Sequence, residues 1–178
     1  MSTVNADSAN WRLFGGGGLI LGGLLWLIAA LIPGTPGWLG GVALIVIAAA
    51  LVFVAFGQTG SNGAVGASVP GKISLVVFAL GWLLLGISAF VALGSAVTLI
   101  AAILVVVGGF ASAWFIFQRR VAKGAAGWVL FVTAVFGLIY FAPTFGVTFI
   151  SGSWIVIVLA ALYLVTGLLY LFNSKKVG

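Results

Sequence analysis

The sequence predicts an all-α integral membrane protein: six transmembrane helices as three consecutive helical hairpins, both termini cytoplasmic. Three observations carry this reading. First, the 178-residue chain is 64% hydrophobic, only 4% charged, and has a mean hydropathy of +1.41. A soluble domain carries roughly 25% charged residues, so too little charge is present to solvate a surface. Second, six apolar runs each approach the roughly 20 residues that span a bilayer as a helix. Third, all seven basic residues, Arg12, Lys72, Arg119, Arg120, Lys123, Lys175 and Lys176, fall on the side of the two termini and the even-numbered loops. The three hairpin turns carry none, and Lys and Arg are retained on the cytoplasmic side during insertion. The cluster from Gln118 to Gly124 is the topological anchor.

The first span is expected over Leu13 to Ile32, after the capping stretch Asp7-Ser8-Ala9-Asn10. It reads as a retained helix, since Met1 to Asn10 has no basic segment and no cleavage site follows. Trp11 and Arg12 belong at the interface. Gly15-Gly16-Gly17-Gly18 then gives either a flexible end or a close-packing face. Gly18 and Gly22 have the small-xxx-small spacing that lets a neighbouring backbone approach. Pro33-Gly34-Thr35-Pro36-Gly37 is a turn. The second span covers Gly37 to Phe56, where Gly37 and Gly41 repeat the packing spacing.

Gly57 to Lys72 is the longest polar stretch and reads as a flexible cytoplasmic linker. It is no phosphate loop: Gly71-Lys72 is followed by Ile73 rather than Ser or Thr, and no strand precedes it. The third span is expected over Ile73 to Leu93 and the fourth over Ala96 to Phe117. The fifth covers Ala125 to Ala142 and the sixth Ser153 to Phe172. Between these last two, Pro143 to Gly152 has no charge and keeps Phe145, Phe149 and Ile150, so it is expected along the interface. The hairpins, about 11–56, 72–117 and 127–172, form one transmembrane domain over 1–178. Pro33 and Pro143 occupy matching turns, and Trp38 and Trp154 open matching helices, which suggests a repeat. Trp11, Trp114 and Trp128 would line the inner interface, Trp38 and Trp154 the outer one. Trp26 and Trp82 fall at mid-membrane and are expected between helices.

Chemistry is bounded by what the chain lacks. It has no Cys and no His, and its one acidic side chain is Asp7. Proton relays, metal ligation and base-assisted nucleophiles need groups that are missing from the spans, so no catalytic, cofactor or metal residues are expected. The intramembrane polar groups are hydroxyls: Ser74, Ser88, Thr98, Ser112, Thr133, Thr166, Tyr140 and Tyr163. They suit helix-to-helix or helix-to-self hydrogen bonds, or the lining of a narrow path for a neutral solute. Arg119, Arg120, Lys123, Arg12 and Lys72 are the candidate contacts for lipid or a partner. Gly18, Gly22, Gly37 and Gly41 are the candidate packing residues.

The run Gly-Gly-Leu-Ile-Leu-Gly-Gly-Leu-Leu-Trp-Leu-Ile-Ala-Ala-Leu-Ile-Pro at 17–33, with the repeated hairpins and short outer turns, resembles the six-helix bacterial membrane proteins of the acid-resistance HdeD type. The second hairpin lacks the turn proline. The resemblance implies a multi-pass inner-membrane protein without catalytic residues. Acid sensing by this chain itself is not expected, because it lacks His and membrane carboxylates. The small hexameric urea and amide channels share its length, but their acidic and Trp-rich segments are missing. The residues therefore lead to a non-catalytic accessory or stabilising subunit of a larger membrane complex, with a bacterial respiratory assembly as one host. Its expected partners are the bilayer, anionic lipids and other membrane subunits, not nucleic acid. The alternatives are a channel or facilitator for a small neutral solute and a stand-alone HdeD-like stress protein. The expected location is a bacterial plasma membrane.

Overall fold

The computed structural model describes residues 11–57, 63–122, 124–148 and 152–172. It is built from six helical spans long and apolar enough to cross a membrane, the first and fifth being Trp11–Leu31 and Ala125–Phe145 with their adjoining helical turns, and there is no sheet among the described residues. The helices are α1 (Gly17–Leu31), preceded without a break by the π-helical turn Trp11–Gly16, α2 (Gly37–Phe56), α3 (Val69–Ser88), α4 (Ser95–Arg119), α5 (Ala125–Phe141) and α6 (Ser153–Leu171). A 3-10 turn, Ala142–Phe145, follows α5. This is an all-α, six-span membrane protein.

Local chemistry sets the ends. Glycine weakens a helix in water, but in lipid each backbone N–H and C=O must be paired within its own segment. The four-glycine run is accordingly helical rather than frayed. After α1, Thr35 Oγ1 lies 3.0 Å from both the Ala29 and the Ile32 carbonyl and shares its one hydrogen between these acceptors, which the helix end leaves free. α3 starts at Val69, ahead of the expected Ile73. Ser68 is its N-cap, accepting the Gly71 N–H at 3.3 Å, and Pro70 sits in the first turn, where its missing N–H costs nothing. α3 also stops at Ser88, short of Leu93, which leaves a longer turn before α4.

The stretch expected to be a loose linker needs correction over its described part. Gly63, Ala64 and Val65 are buried, and the Ala64 N–H donates to the Val54 carbonyl at 2.8 Å. The backbone of Val54 and Ala55 lies where a side chain at position 63 would go, so only glycine fits there. Gln58 to Asn62, Phe149 to Ser151, Lys123, Lys175, Lys176 and Asp7 lie outside the described residues.

Each helix packs on the next in sequence, and α6 packs back on α1, so the six make a closed ring. Neighbours run in opposite directions, because the start of one meets the end of the other. Gly15 lies on Val54 and Gly22 on Ile47; Gly71 meets Phe115 and Gly81 meets Val105; Gly16 meets Leu171 and Gly23 meets Leu164. α1 carries two glycine faces. Gly15, Gly18 and Gly22 lie against α2, while Gly16 and Gly23 lie against α6, where Gly167 returns the contact. A Cβ on Gly23 would stand 2.7 Å from the Leu164 nitrogen and 3.0 Å from the Ala160 oxygen, which places backbone directly on backbone.

Candidate functional site: the aromatic centre and the basic rim

The odd-numbered helices each send one large aromatic side chain to the middle of the ring. Trp26 of α1, Trp82 of α3 and Tyr140 of α5 form a triangle with ring centroids 5.4, 6.1 and 6.3 Å apart. Tyr163 of α6 joins it, crossing Trp82 edge-to-face at 5.7 Å and lying 6.2 Å from Trp26. Phe78 and Phe141 close the flanks of Trp82, at 6.4 and 5.9 Å. Trp26, Phe78, Trp82, Phe141 and Tyr163 are all buried. Edge-to-face and tilted arrangements match the ring quadrupole, and each good pair adds about 0.5–1.5 kcal/mol beyond area. Side chains from four helices thus meet in one largely buried aromatic cluster.

The titratable side chains of this centre are Tyr140 and Tyr163. Four of its side chains carry a polar atom, those of Trp26, Trp82, Tyr140 and Tyr163; the Trp82 Nε1 and the Tyr163 Oη are buried against each other without a well-formed hydrogen bond. Nearer the termini, Tyr170 stacks edge-on against Trp11 at 5.6 Å, with its own hydroxyl unpartnered among the described residues. Buried hydroxyls meet in two places. Ser112 Oγ donates to Ser74 Oγ at 3.3 Å across α3 and α4, and Thr133 Oγ1 lies 3.3 Å from Thr166 Oγ1 across α5 and α6.

The four described basic residues, Arg12, Lys72, Arg119 and Arg120, sit at helix ends on the side of the α2–α3 and α4–α5 connections and are spread over three elements. Arg12 lies in the π-helical turn with its guanidinium 5.6 Å from the Trp11 ring. Lys72, half-buried in the first turn of α3, holds its Nζ 5.6 Å from the Phe56 ring. Contacts of this kind keep a cation on an aromatic face while its head reaches water. Arg119 closes α4 and Arg120 follows in the left-handed conformation, φ 53, both exposed. Lys123 is outside the described residues.

Among the glycines singled out from sequence, Gly18 faces Ala50 at 2.7 Å from its missing Cβ, Gly22 faces Ile47, and Gly41 faces the Gly86 oxygen at 2.8 Å. Gly37 does not pack: a Cβ there would meet nothing within 4 Å, so positions 37 and 41 are not a shared contact face. Trp38 and Trp154 are half-exposed at the turn end, and Trp114 and Trp128 at the basic end. Trp11 departs from this belt. It is 0% exposed, because the wide π-helical turn directs it inward onto Tyr170.

Sequence reasoning placed Trp26 and Trp82 between helices but missed Phe78, Phe141 and Tyr163 as their partners. It also missed Gly16, Gly23 and Gly167, which close the ring. The available signal was only that Trp26, Trp82 and Tyr140 all fall in the first helix of a hairpin. Comparison with protein-family models, with curated proteins and with solved structures finds no match for this chain.

Proposed function

We propose that this chain is a non-catalytic, multi-pass membrane protein that acts as an accessory or stabilising subunit of a larger membrane complex. The observation that carries the reading is the aromatic centre. Trp26, Trp82 and Tyr163 fill the space between the helices with mutually packed rings, which supports a role for the outer surface. The surface has small extramembrane loops, which suits side-by-side association within the bilayer better than capture of a soluble substrate. In this reading the spans insert as three hairpins, and the basic rim faces the cytoplasm with both termini. The membrane is a bacterial plasma membrane, and a respiratory assembly is one host of fitting character.

Purification in mild detergent, followed by mass spectrometry of what co-purifies, tests the proposal. The expected result is stoichiometric recovery of other membrane subunits. Recovery only as a free homo-oligomer overturns it. Flux of uncharged solutes through reconstituted liposomes would overturn it in favour of a channel.

A further inference from the structure

We propose that the cleft between the end of α4 and the start of α5 is a binding site for the headgroup of an anionic phospholipid. The cleft measures about 320 Å³ and is lined by Phe117, Arg120, Ala122, Gly124, Gly127 and Trp128. Its walls are of two kinds. On one side is the exposed Arg120, next to the exposed Arg119. On the other are the paired rings of Phe117 and Trp128, 4.3 Å apart, with Trp128 56% exposed.

Three features select the ligand. The first is charge. Seven bases face a single acidic side chain, Asp7, so the protein itself has almost nothing with which to neutralise these arginines. Arginine also presents a planar fork that matches phosphate oxygens. The second is depth. Phe117 and Trp128 lie in the last turn of one apolar span and the first turn of the next, where indole rings sit at the headgroup level of a bilayer. A phosphate at Arg120 would leave its glycerol and first methylenes along the Trp128 face. A soluble anion has no use for that apolar wall. The third is the shape of the backbone. The left-handed turn at Arg120, whose N–H donates to the Ile116 carbonyl at 3.2 Å, ends α4 abruptly. Gly127 keeps the first turn of α5 narrow, since a Cβ there would stand 3.0 Å from the Ala122 oxygen. Together these leave room at the junction. Basic pockets between spans at a membrane surface are suited to anionic headgroups.

The proposal does not depend on the accessory-subunit reading, because it concerns the isolated full chain. Native mass spectrometry of the detergent-purified protein would be run with added phosphatidylglycerol, phosphatidylcholine or inorganic phosphate. One phosphatidylglycerol should be retained per chain in preference to phosphatidylcholine, with no displacement by millimolar phosphate. The R119Q/R120Q double variant should lower that affinity about 30-fold, each cation near an anionic surface being worth about a factor of five. Trp128→Leu removes a packing contact as well, so its lipid effect is read as the rise in unfolding temperature on adding phosphatidylglycerol, which should shrink relative to wild type whatever the lipid-free value. Arg12→Gln, on the same rim but away from the cleft, should leave it intact. Equal retention of both lipids overturns the proposal, as does equal loss in the Arg12 variant. Displacement by phosphate also overturns it, in favour of a soluble anion.

Discussion

α1 and α5 are both spans of the same ring, yet they are held by opposite means. α1 meets α2 and α6 through missing side chains. Gly15, Gly18 and Gly22 face one neighbour, Gly16 and Gly23 the other, and the backbones approach until no Cβ fits. α5 meets α4 and α6 through side chains that are present. Phe117, Trp128 and Phe131 interlock on one side, and Thr133 faces Thr166 on the other. Its glycine toward a neighbouring helix is slack by comparison: a Cβ on Gly137 would find its nearest neighbour, Val105, at 3.9 Å, and the tight contact of Gly127 is with the preceding loop residue Ala122. α6 shows both modes on one helix, with Gly167 toward α1 and Thr166 toward α5. Lipid tails are as apolar as leucine, so burial of apolar surface does not drive helices together in a membrane. Packing must do it, and this chain uses close backbone approach on one side of the ring and aromatic bulk on the other.

The two halves meet at Trp82, which touches Trp26 of α1 as well as Tyr140, Phe141 and Tyr163. Trp82→Ala should therefore cost the most, about 3–5 kcal/mol by the usual range for emptying a buried tryptophan site. Unfolding followed in detergent measures it. A loss below 1 kcal/mol would mean that the halves stand independently and that the comparison overstates the centre. Next in size is the glycine seam. Gly23→Ala places a Cβ 2.7 Å from backbone nitrogen that cannot rotate away, and should destabilise by about 1–3 kcal/mol. Gly17→Ala meets nothing within 4 Å and should instead stabilise by about 0.5–1 kcal/mol, since alanine orders a helix at lower entropic cost. The two substitutions are chemically identical and lie in one helix, so equal signs would show that seam geometry is not what matters.

The spans themselves were legible because a bilayer imposes a length and a composition. α2 runs over Gly37–Phe56, the limits read from sequence. The start of α3 was not legible in the same way. Pro70-Gly71 reads as a turn until Ser68 is seen to cap the helix and Pro70 to occupy its tolerant first turn. Ala64 and Val65, two apolar residues inside a polar stretch, were the clue that this segment tucks inward. The closing contact of α6 on α1 was the least accessible. Periodicity says that a face is small, not which distant helix will meet it. The same limit applies to the centre, where Trp26 and Trp82 could be assigned to the interior but their mutual contact could not.

The smallest effect separates two hydroxyl contacts that look alike. Ser112 Oγ has its hydrogen free to donate to Ser74 Oγ, because Ser74 spends its own on the Gly71 carbonyl at 2.8 Å. That is a true bond between α3 and α4. Thr133 gives its hydrogen to the Val129 carbonyl at 3.0 Å, and Thr166 gives its hydrogen to the Leu162 carbonyl at 2.7 Å. Each hydroxyl has one hydrogen, so at 3.3 Å either Thr133 or Thr166 can donate to the other only by drawing its hydrogen from its own helix carbonyl. Ser112→Ala should accordingly cost at least about 0.6 kcal/mol, the average for hydrogen bonds between membrane helices, and no more than the maximum of about 1.7, whereas Thr166→Val should fall below about 0.5 kcal/mol. If Thr166→Val proved the costlier of the two, α5 would be joined to α6 by hydrogen bonding rather than by shape. The contrast between the glycine side and the side-chain side would then have to be redrawn around that bond.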